Sequence, residues 1–216
     1  MNYSFDQIIE RRNAYSTKWL KFSDNEVIPM WIADMDFSCP EEITNAMHKH
    51  LDKGVFGYTD TPESLTEIFI DKIKENSGWE IKKEWVVWVP GGVVGLNVAC
   101  KTTLAPGEIV MVPSPIYAPF TEAPENMERG FIKTDLKDVN GRLELDFESV
   151  KDLLSEDTKM FSFCNPHNPG GTVFRTEEIE ELSRICKENN IIVCSDEIHS
   201  DLVLEEGATH IPFASF

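Results

Sequence analysis

The sequence predicts an α/β fold, a mainly parallel sheet with helices on both faces. Three observations predict it. From the middle of the chain onward, short apolar runs alternate with stretches of helical spacing. Those apolar runs are continuous rather than alternating, as in strands buried on both sides. Glycine and proline clusters punctuate the junctions between them. The run Ile191-Ile192-Val193-Cys194-Ser195-Asp196-Glu197-Ile198-His199 shows the pattern most sharply: an apolar stretch ends abruptly in two carboxylates, and an imidazole follows three residues after Asp196.

Taken in order, residues 41–54 read as a helix with Pro40 at its start and Gly54 at its end. Residues 64–76 read as a second helix, followed by Gly78. Residues 85–89 (Trp-Val-Val-Trp-Val) read as a strand leading into Pro90-Gly91-Gly92. Helical spacing over 92–104 stops at Pro106-Gly107, and 109–112 is a short strand. A helix is expected over 115–126, a strand over 131–134 and a turn at Asn140-Gly141. Helix 146–154, strand 159–164, the turn 165–171, helix 177–189 and strand 191–195 complete the series.

Composition excludes several classes. A hydrophobic share of 41% and an aromatic share of 10% describe a chain with enough apolar material for a core. The net charge of -18 argues against nucleic acid and anionic membranes as partners. The five cysteines are odd in number, widely spaced and without a C-x-x-C pair, which fits a reducing cytoplasm better than a disulfide framework or zinc ribbon. Cys194 is expected in the core. Cys39, beside Pro40, is expected to be structural, with a reactive loop thiol as the alternative. Residues 1–20 mix charges and lack the apolar centre of a signal peptide. The most apolar stretch, 85–89, is far too short to cross a bilayer.

The chemistry concentrates at predicted strand ends, where open α/β sheets bind ligands. Asp196 there would favour the protonated form of a ring nitrogen beside it, which a pyridine-ring cofactor needs to act as an electron sink. Gly91-Gly92-Val93-Val94 lies where a strand turns into a helix; its free amides and positive dipole suit a phosphate, or the glycines simply make a turn. Neither a Walker lysine nor a G-x-G-x-x-G pattern is present. Two Asn-Pro pairs fix the 165–171 turn and set an amide, Asn168, at the sheet end, or serve the turn alone. Asp34 and Asp36 alternate, as ligands of a divalent cation can; the favoured reading is one solvated acid, with Asp36 bonded to backbone. His199 and His210 together with Asp196 suggest a metal, but no ligand spacing supports one. Tyr58 and Tyr117 read most simply as packing residues.

The order of these features carries a resemblance. Trp31-Ile32-Ala33-Asp34-Met35-Asp36-Phe37, Phe56-Gly57-Tyr58-Thr59, Asn165-Pro166-His167-Asn168-Pro169, Asp196-Glu197-Ile198-His199-Ser200-Asp201-Leu202 and His210-Ile211-Pro212-Phe213-Ala214-Ser215 resemble the MalY/PatB-type cysteine–sulfur β-lyases. These belong to the class I/II aminotransferase superfamily, fold type I, dependent on pyridoxal 5'-phosphate. The likeness covers nearly the whole chain. It implies that residues 1–50 are the N-terminal segment of a small domain and its linker. Residues 51–216 would be the cofactor-binding large domain, incomplete at its C-terminus. It implies that Asp196 pairs with the pyridinium nitrogen, and that Asn168 and His199 hydrogen-bond the ring's phenolic oxygen. Tyr117 would stack on the ring, and the amides of Val93 and Val94 would hold the phosphate. Tyr58 would reach the phosphate of a neighbouring subunit in a homodimer, and Asp34 would lie in the loop near a sulfur amino-acid substrate.

The resemblance also implies a reaction: a thiolate leaves the β-carbon of cystathionine or a cysteine conjugate, and pyruvate and ammonia follow. Three departures stand out. Gly170 replaces the usual threonine of the turn, which is expected to loosen it. Thr172 stands where a basic residue is common. The Schiff-base lysine of the family, and the arginine for the substrate carboxylate, would lie beyond Phe216, and no lysine here matches that position. The chain alone is therefore expected to be inactive. An aminotransferase of the same superfamily is the alternative, and a non-catalytic remnant or interaction module is the alternative of another class.

Overall fold

The computed structural model describes residues 4–24 and 26–216. The chain divides into two compact units, Met1–Asp60 and Thr61–Phe216. In the first, a 3-10 turn at Arg12–Ala14 precedes α1 (Thr17–Leu20), and a long loop leads to α2 (Glu41–Leu51). Pro40 stands just before α2, Glu41 and Glu42 occupy its first turn, and His48, Lys49 and His50 its last, so both ends suit the helix dipole.

The second unit begins with α3 (Glu63–Ser77), which ends where Gly78 takes a left-handed conformation and returns its N–H to Lys74. A 3-10 turn at Lys83–Trp85 follows, then α4 (Gly92–Thr103), β1 (Ile109–Ser114), α5 (Pro119–Asn126), β2 (Gly130–Val139) and β3 (Arg142–Leu145). The series closes with α6 (Phe147–Asp152), β4 (Thr158–Cys164), α7 (Thr176–Glu188), β5 (Ile192–Asp196) and a 3-10 turn at Phe213–Ser215. The sheet order is β3-β2-β1-β4-β5. Every neighbouring pair is parallel except β2 with β3.

Alternation along the strands sorts the core into two layers. Val110, Val112, Met160 and Cys164 pack with Leu96 and Cys100 of α4, with Leu104 just after it, and with Phe120 and Ala123 of α5. On the other face Met111, Phe161 and Phe163 pack with Val150 of α6 and Ile179, Leu182, Ile185 and Cys186 of α7. The four α7 residues recur at helical spacing, so one stripe of that helix is buried. The helix–sheet–helix layering expected from the sequence is what the chain adopts.

Three expectations are corrected. Residues 85–89 do not join the sheet. An apolar run becomes a strand only where a neighbour offers its backbone; Trp88 instead donates its indole N–H to Thr66 at 3.2 Å and meets Phe69 edge-on at 5.7 Å. The sequence places a strand over 131–134 and a turn at Asn140-Gly141, yet β2 runs on to Val139 and the chain returns as β3. Asn140 (φ 57°) and Gly141 (φ 85°) close a two-residue hairpin, with Val139 opposite Arg142 and the Gly141 N–H on Asp138 at 2.7 Å. Residues 115–118 precede α5 rather than belong to it, because Ser114-Pro115 and Tyr117 form the connection out of β1.

All five cysteines are free. Cys194 is partly buried and packs against the α4 layer, whereas Cys39 is exposed rather than buried structure. Burial pushes the Cys164 and Cys194 thiols up to about 11 and the Cys186 thiol to about 12. It raises that of Cys100 as well. At pH 8 these four stay protonated, so alkylation of the native protein should label Cys39 first, and Cys39→Ser should abolish that fast phase; rapid labelling of Cys164 would contradict this packing. Phe163 is wholly buried, its ring 5.0 Å from Phe174 and 5.7 Å from Phe213. Phe163→Ala should lower unfolding free energy by about 3–5 kcal/mol in urea titrations.

Candidate functional site

The position of Asp196 follows from strand register. β4 and β5 pair with Ser162 opposite Cys194 and Cys164 opposite Asp196. Paired residues share a face, and Cys164 and Cys194 face the α4 layer. Asp196 therefore stands on that same face at the carboxyl end of β5, partly buried. Beyond the last pair, the Asn165 N–H donates to the Asp196 carbonyl at 3.0 Å. The wholly buried Asn165 also accepts the Phe174 N–H on Oδ1 at 3.1 Å. One Asp196 carboxylate oxygen takes the Ile198 N–H at 3.0 Å, which starts the turn leading to His199.

The N-terminus of α4 lies at the same end of the sheet. α4 finishes at Thr103, and the Leu104 carbonyl accepts from Arg129, the residue before β2 begins, at 2.9 Å. The C-terminal end of α4 is thus at the amino edge of the strands. Twelve residues span about 18 Å, enough to carry Gly92, Val93 and Val94 to the opposite edge. Gly91 enters the helix at φ 154°, a conformation L side chains rarely adopt, and no side chain caps the first turn. Val93 and Val94 are partly exposed there. Uncapped first-turn amides in this setting favour an anion.

Tyr117 and Asn168 are joined directly: the Tyr117 N–H donates to the Asn168 carbonyl at 3.1 Å. The Tyr117 ring is half exposed. Asn168 and His199 line one cavity of about 770 Å³, with Arg142, His167, Thr172 and Glu205 also in its wall. Asp196, Tyr117, Val93 and Val94 are not in that wall, and neither is any lysine.

The 165–171 turn is tight rather than loosened by Gly170. The His167 N–H donates to the Thr172 carbonyl and the Gly171 N–H to the His167 carbonyl, both at 2.8 Å. The Gly170 N–H donates to His167 Nδ1 at 3.2 Å. A Cβ on Gly170 would fall 2.7 Å from His167 Nδ1 and 2.8 Å from Leu143 Cδ1. His167 is buried, and burial depresses its basicity, partly opposed by the Pro115 carbonyl. Thr172 is fastened to the hairpin through its hydroxyl, which donates to the Leu143 carbonyl at 2.8 Å.

Asp34 and Tyr58 belong to the first unit. Arg11 donates to Asp34 at 2.8 Å and to Asp36 at 2.6 Å. Lys18 at 2.7 Å and the Trp19 indole at 2.8 Å complete the shell of Asp36. Two cations and an indole thus replace the backbone partner expected for Asp36. The Lys18 and Trp19 hydrogen bonds, then that of Arg11, hold its carboxyl well below the usual carboxylate range. These cations occupy the place a divalent ion would take. Among the described residues no cluster of three or more His, Cys, Asp or Glu could hold a metal. Tyr58 is fully exposed. His210 pairs with Glu197 at 3.0 Å rather than contributing to a metal site.

Sequence reasoning passed over Asn165, His167 and Glu197. The paired Asn-Pro dipeptides and the Asp-Glu run marked their neighbourhood, but their partners lie 9 to 16 residues away (Phe174 for Asn165, Phe213 for Glu197) or across the sheet.

Residues 25–215 match the profile of the aminotransferase class I and II family. The chain belongs to that family. It is 38% identical to the cystathionine beta-lyase PatB of Bacillus subtilis over 98% of its own length and 56% of PatB. Among solved structures, that of OvoB superposes with a TM-score of 0.93 at 43% identity, over 99% of this chain and 56% of OvoB. Cystalysin from Treponema denticola, whose crystal structure contains pyridoxal 5'-phosphate, gives a TM-score of 0.92 at 33% identity, over 100% and 56%. The chain thus spans about half the length of the relatives it matches. Its sheet and flanking helices are those of the large domain of pyridoxal-phosphate enzymes of fold type I.

The residues present fit such a cofactor. An uncapped helix start suits a phosphate, and a carboxylate at a strand end suits a pyridinium nitrogen. The Asn165 Nδ2 donor, buried without a partner, marks polar capacity that this end of the sheet does not itself consume. Because Gly170 has no room for a Cβ, Gly170→Thr should cost about 1–3 kcal/mol of stability in urea titrations. An unchanged midpoint would contradict the close approach of His167.

Proposed function

We propose that this chain is the cofactor-binding portion of a pyridoxal-phosphate-dependent carbon–sulfur β-lyase acting on cystathionine or a cysteine conjugate. One observation carries the reading: strand register sets Asp196 on the α4 side of the sheet, at the edge where the free amides of α4 begin. Likeness to PatB and cystalysin over the whole of this chain supports the lyase branch. The five free cysteines accord with a cytoplasmic setting.

In this reading the amides of Val93 and Val94 bind the phosphate. The Asp196 carboxylate keeps a proton on the ring nitrogen, because the adjacent negative charge stabilises the cation. Asn168 and His199, in the loops after β4 and β5, orient the phenolic oxygen. Tyr117, tied to Asn168, covers the ring and limits water. When bound, the cofactor supplies an electron sink for the carbanion that expels the thiolate. The family resemblance assigns Asp34, held by Arg11, to the substrate loop and exposed Tyr58 to the phosphate site of a second subunit in a homodimer. Since no lysine of this sequence matches the Schiff-base position of the family, this stretch alone should bind the cofactor without turning substrate over.

Titrating the chain with pyridoxal phosphate, followed by absorbance, tests the site. The wild type should bind reversibly, and Asp196→Asn should weaken binding by about 10- to 100-fold, as loss of a charge-assisted hydrogen bond does. Equal affinities would remove Asp196 from the site. The reaction is tested on the polypeptide as it occurs in the cell: pyruvate and thiol should appear from cystathionine, whereas keto-acid-dependent amino transfer without thiol release would make it an aminotransferase.

A further inference from the structure

Glu197 sits inside the turn that carries Asp196 and His199, yet its side chain reaches elsewhere. Its Oε1 accepts the Ser195 hydroxyl and the Phe213 N–H, both at 2.8 Å. Its Oε2 lies 3.0 Å from His210 Nε2. The two side chains are 24% and 9% exposed, so the pair is largely screened from solvent. Facing a carboxylate, His210 Nε2 is the donor of that contact, while its Nδ1 is buried and without a partner.

The segment that Glu197 grips is itself moored. Ile211 and Phe213 pack on the α7-side core, and the Phe213 ring meets Phe163 at 5.7 Å. The backbone of the turn, by contrast, is closed by local bonds: Ile198 N–H to Asp196 Oδ1 at 3.0 Å, Ser200 N–H to the Glu197 carbonyl at 2.9 Å and Leu202 N–H to the His199 carbonyl at 2.8 Å. Such bonds set the shape of a turn but not its orientation on the sheet. Among the described residues its other side-chain tie, besides Glu197, is the solvent-exposed Lys72–Asp201 ion pair at 2.8 Å, which is worth little. Asp196 ends a paired strand, whereas His199 lies three residues past the last ladder pair. A fastening between them fixes both directions at once.

We infer that Glu197 is a positioning residue, which orients Asp196 and His199 toward the cofactor by clamping their turn to the 210–213 segment. The role toward the cofactor rests on the pyridoxal-phosphate reading of the site; the clamp itself does not. Glu197→Ala removes all three contacts. Glu197→Gln keeps an acceptor for the Phe213 N–H and the Ser195 hydroxyl.

The test measures amide exchange at Ile198, Ser200 and Leu202, the His210 tautomer by nitrogen NMR, and pyridoxal phosphate affinity in the same chain. Glu197→Ala should speed exchange at those three amides about tenfold, leave Val112 and Phe161 unchanged, lose the fixed Nε2 proton on His210 and weaken cofactor binding about tenfold. Glu197→Gln should restore most of the exchange protection and affinity. Unchanged exchange at Ile198, a uniform rise through the whole sheet, or failure of Gln to rescue would each overturn the inference. Should the wild type itself not bind the cofactor, the site reading fails, while the exchange and tautomer data still decide the clamp.

Discussion

The parallel pairing of β4 with β5 is the constraint on which the candidate site depends. Side chains alternate across a sheet, so a shift of one residue would turn Asp196 to the α7 side and bring Ser195 to the α4 side. The register is held at two levels. Below, Met160 and Cys164 of β4 and Cys194 of β5 must meet the α4 layer, while Phe161 and Phe163 meet the α7 layer. Above, the Asn165 N–H on the Asp196 carbonyl continues the ladder one step past the last pair. Hydrophobic sorting therefore sets the direction of a charged group without touching it.

The same end of the sheet gathers several loops because every crossover returns the chain to the amino edge before the next strand starts. β1 leaves toward Tyr117, β4 toward Asn168 and β5 toward His199, and α4 begins there. These loops brace one another through backbone bonds, such as Tyr117 to Asn168, more than through side chains. The close approach of His167, Gly170 and Leu143 belongs to this bracing. It joins the turn after β4 to the β2–β3 hairpin, which Thr172 also fastens.

Much of this was legible in the sequence, for identifiable reasons. Strands β1 and β4 are buried on both faces and β5, at the sheet edge, is partly buried; all three announce themselves as apolar runs, and their polar ends mark the site edge. Helices α4 and α7 carry apolar residues at helical spacing and are bounded by glycine or polar residues. Residues 85–89 misled because local composition records apolarity and not the presence of a neighbour; Thr66 and Phe69 took up Trp88 instead. β3 was missed because Arg142-Leu143-Glu144-Leu145 is short and charged, and its pairing depends on the turn before it. At the site, Asp196, Asn168 and His199 stood out by position, whereas Glu197 and Asn165 did not. Their work lies in bonds to Phe213 and Phe174, which no local pattern encodes. The partners of Asp36 were hidden likewise, since Arg11 and Lys18 stand 25 and 18 residues before it.

A carboxylate directed by strand register toward a pyridine nitrogen is the centre of this account. The most direct measurement is a crystal structure of the chain grown with pyridoxal 5'-phosphate. The account predicts an Asp196 carboxylate oxygen within about 2.7–3.2 Å of the ring nitrogen, with the phosphate at the first turn of α4. A bound cofactor whose nitrogen faces another group, with Asp196 turned to solvent, would contradict it.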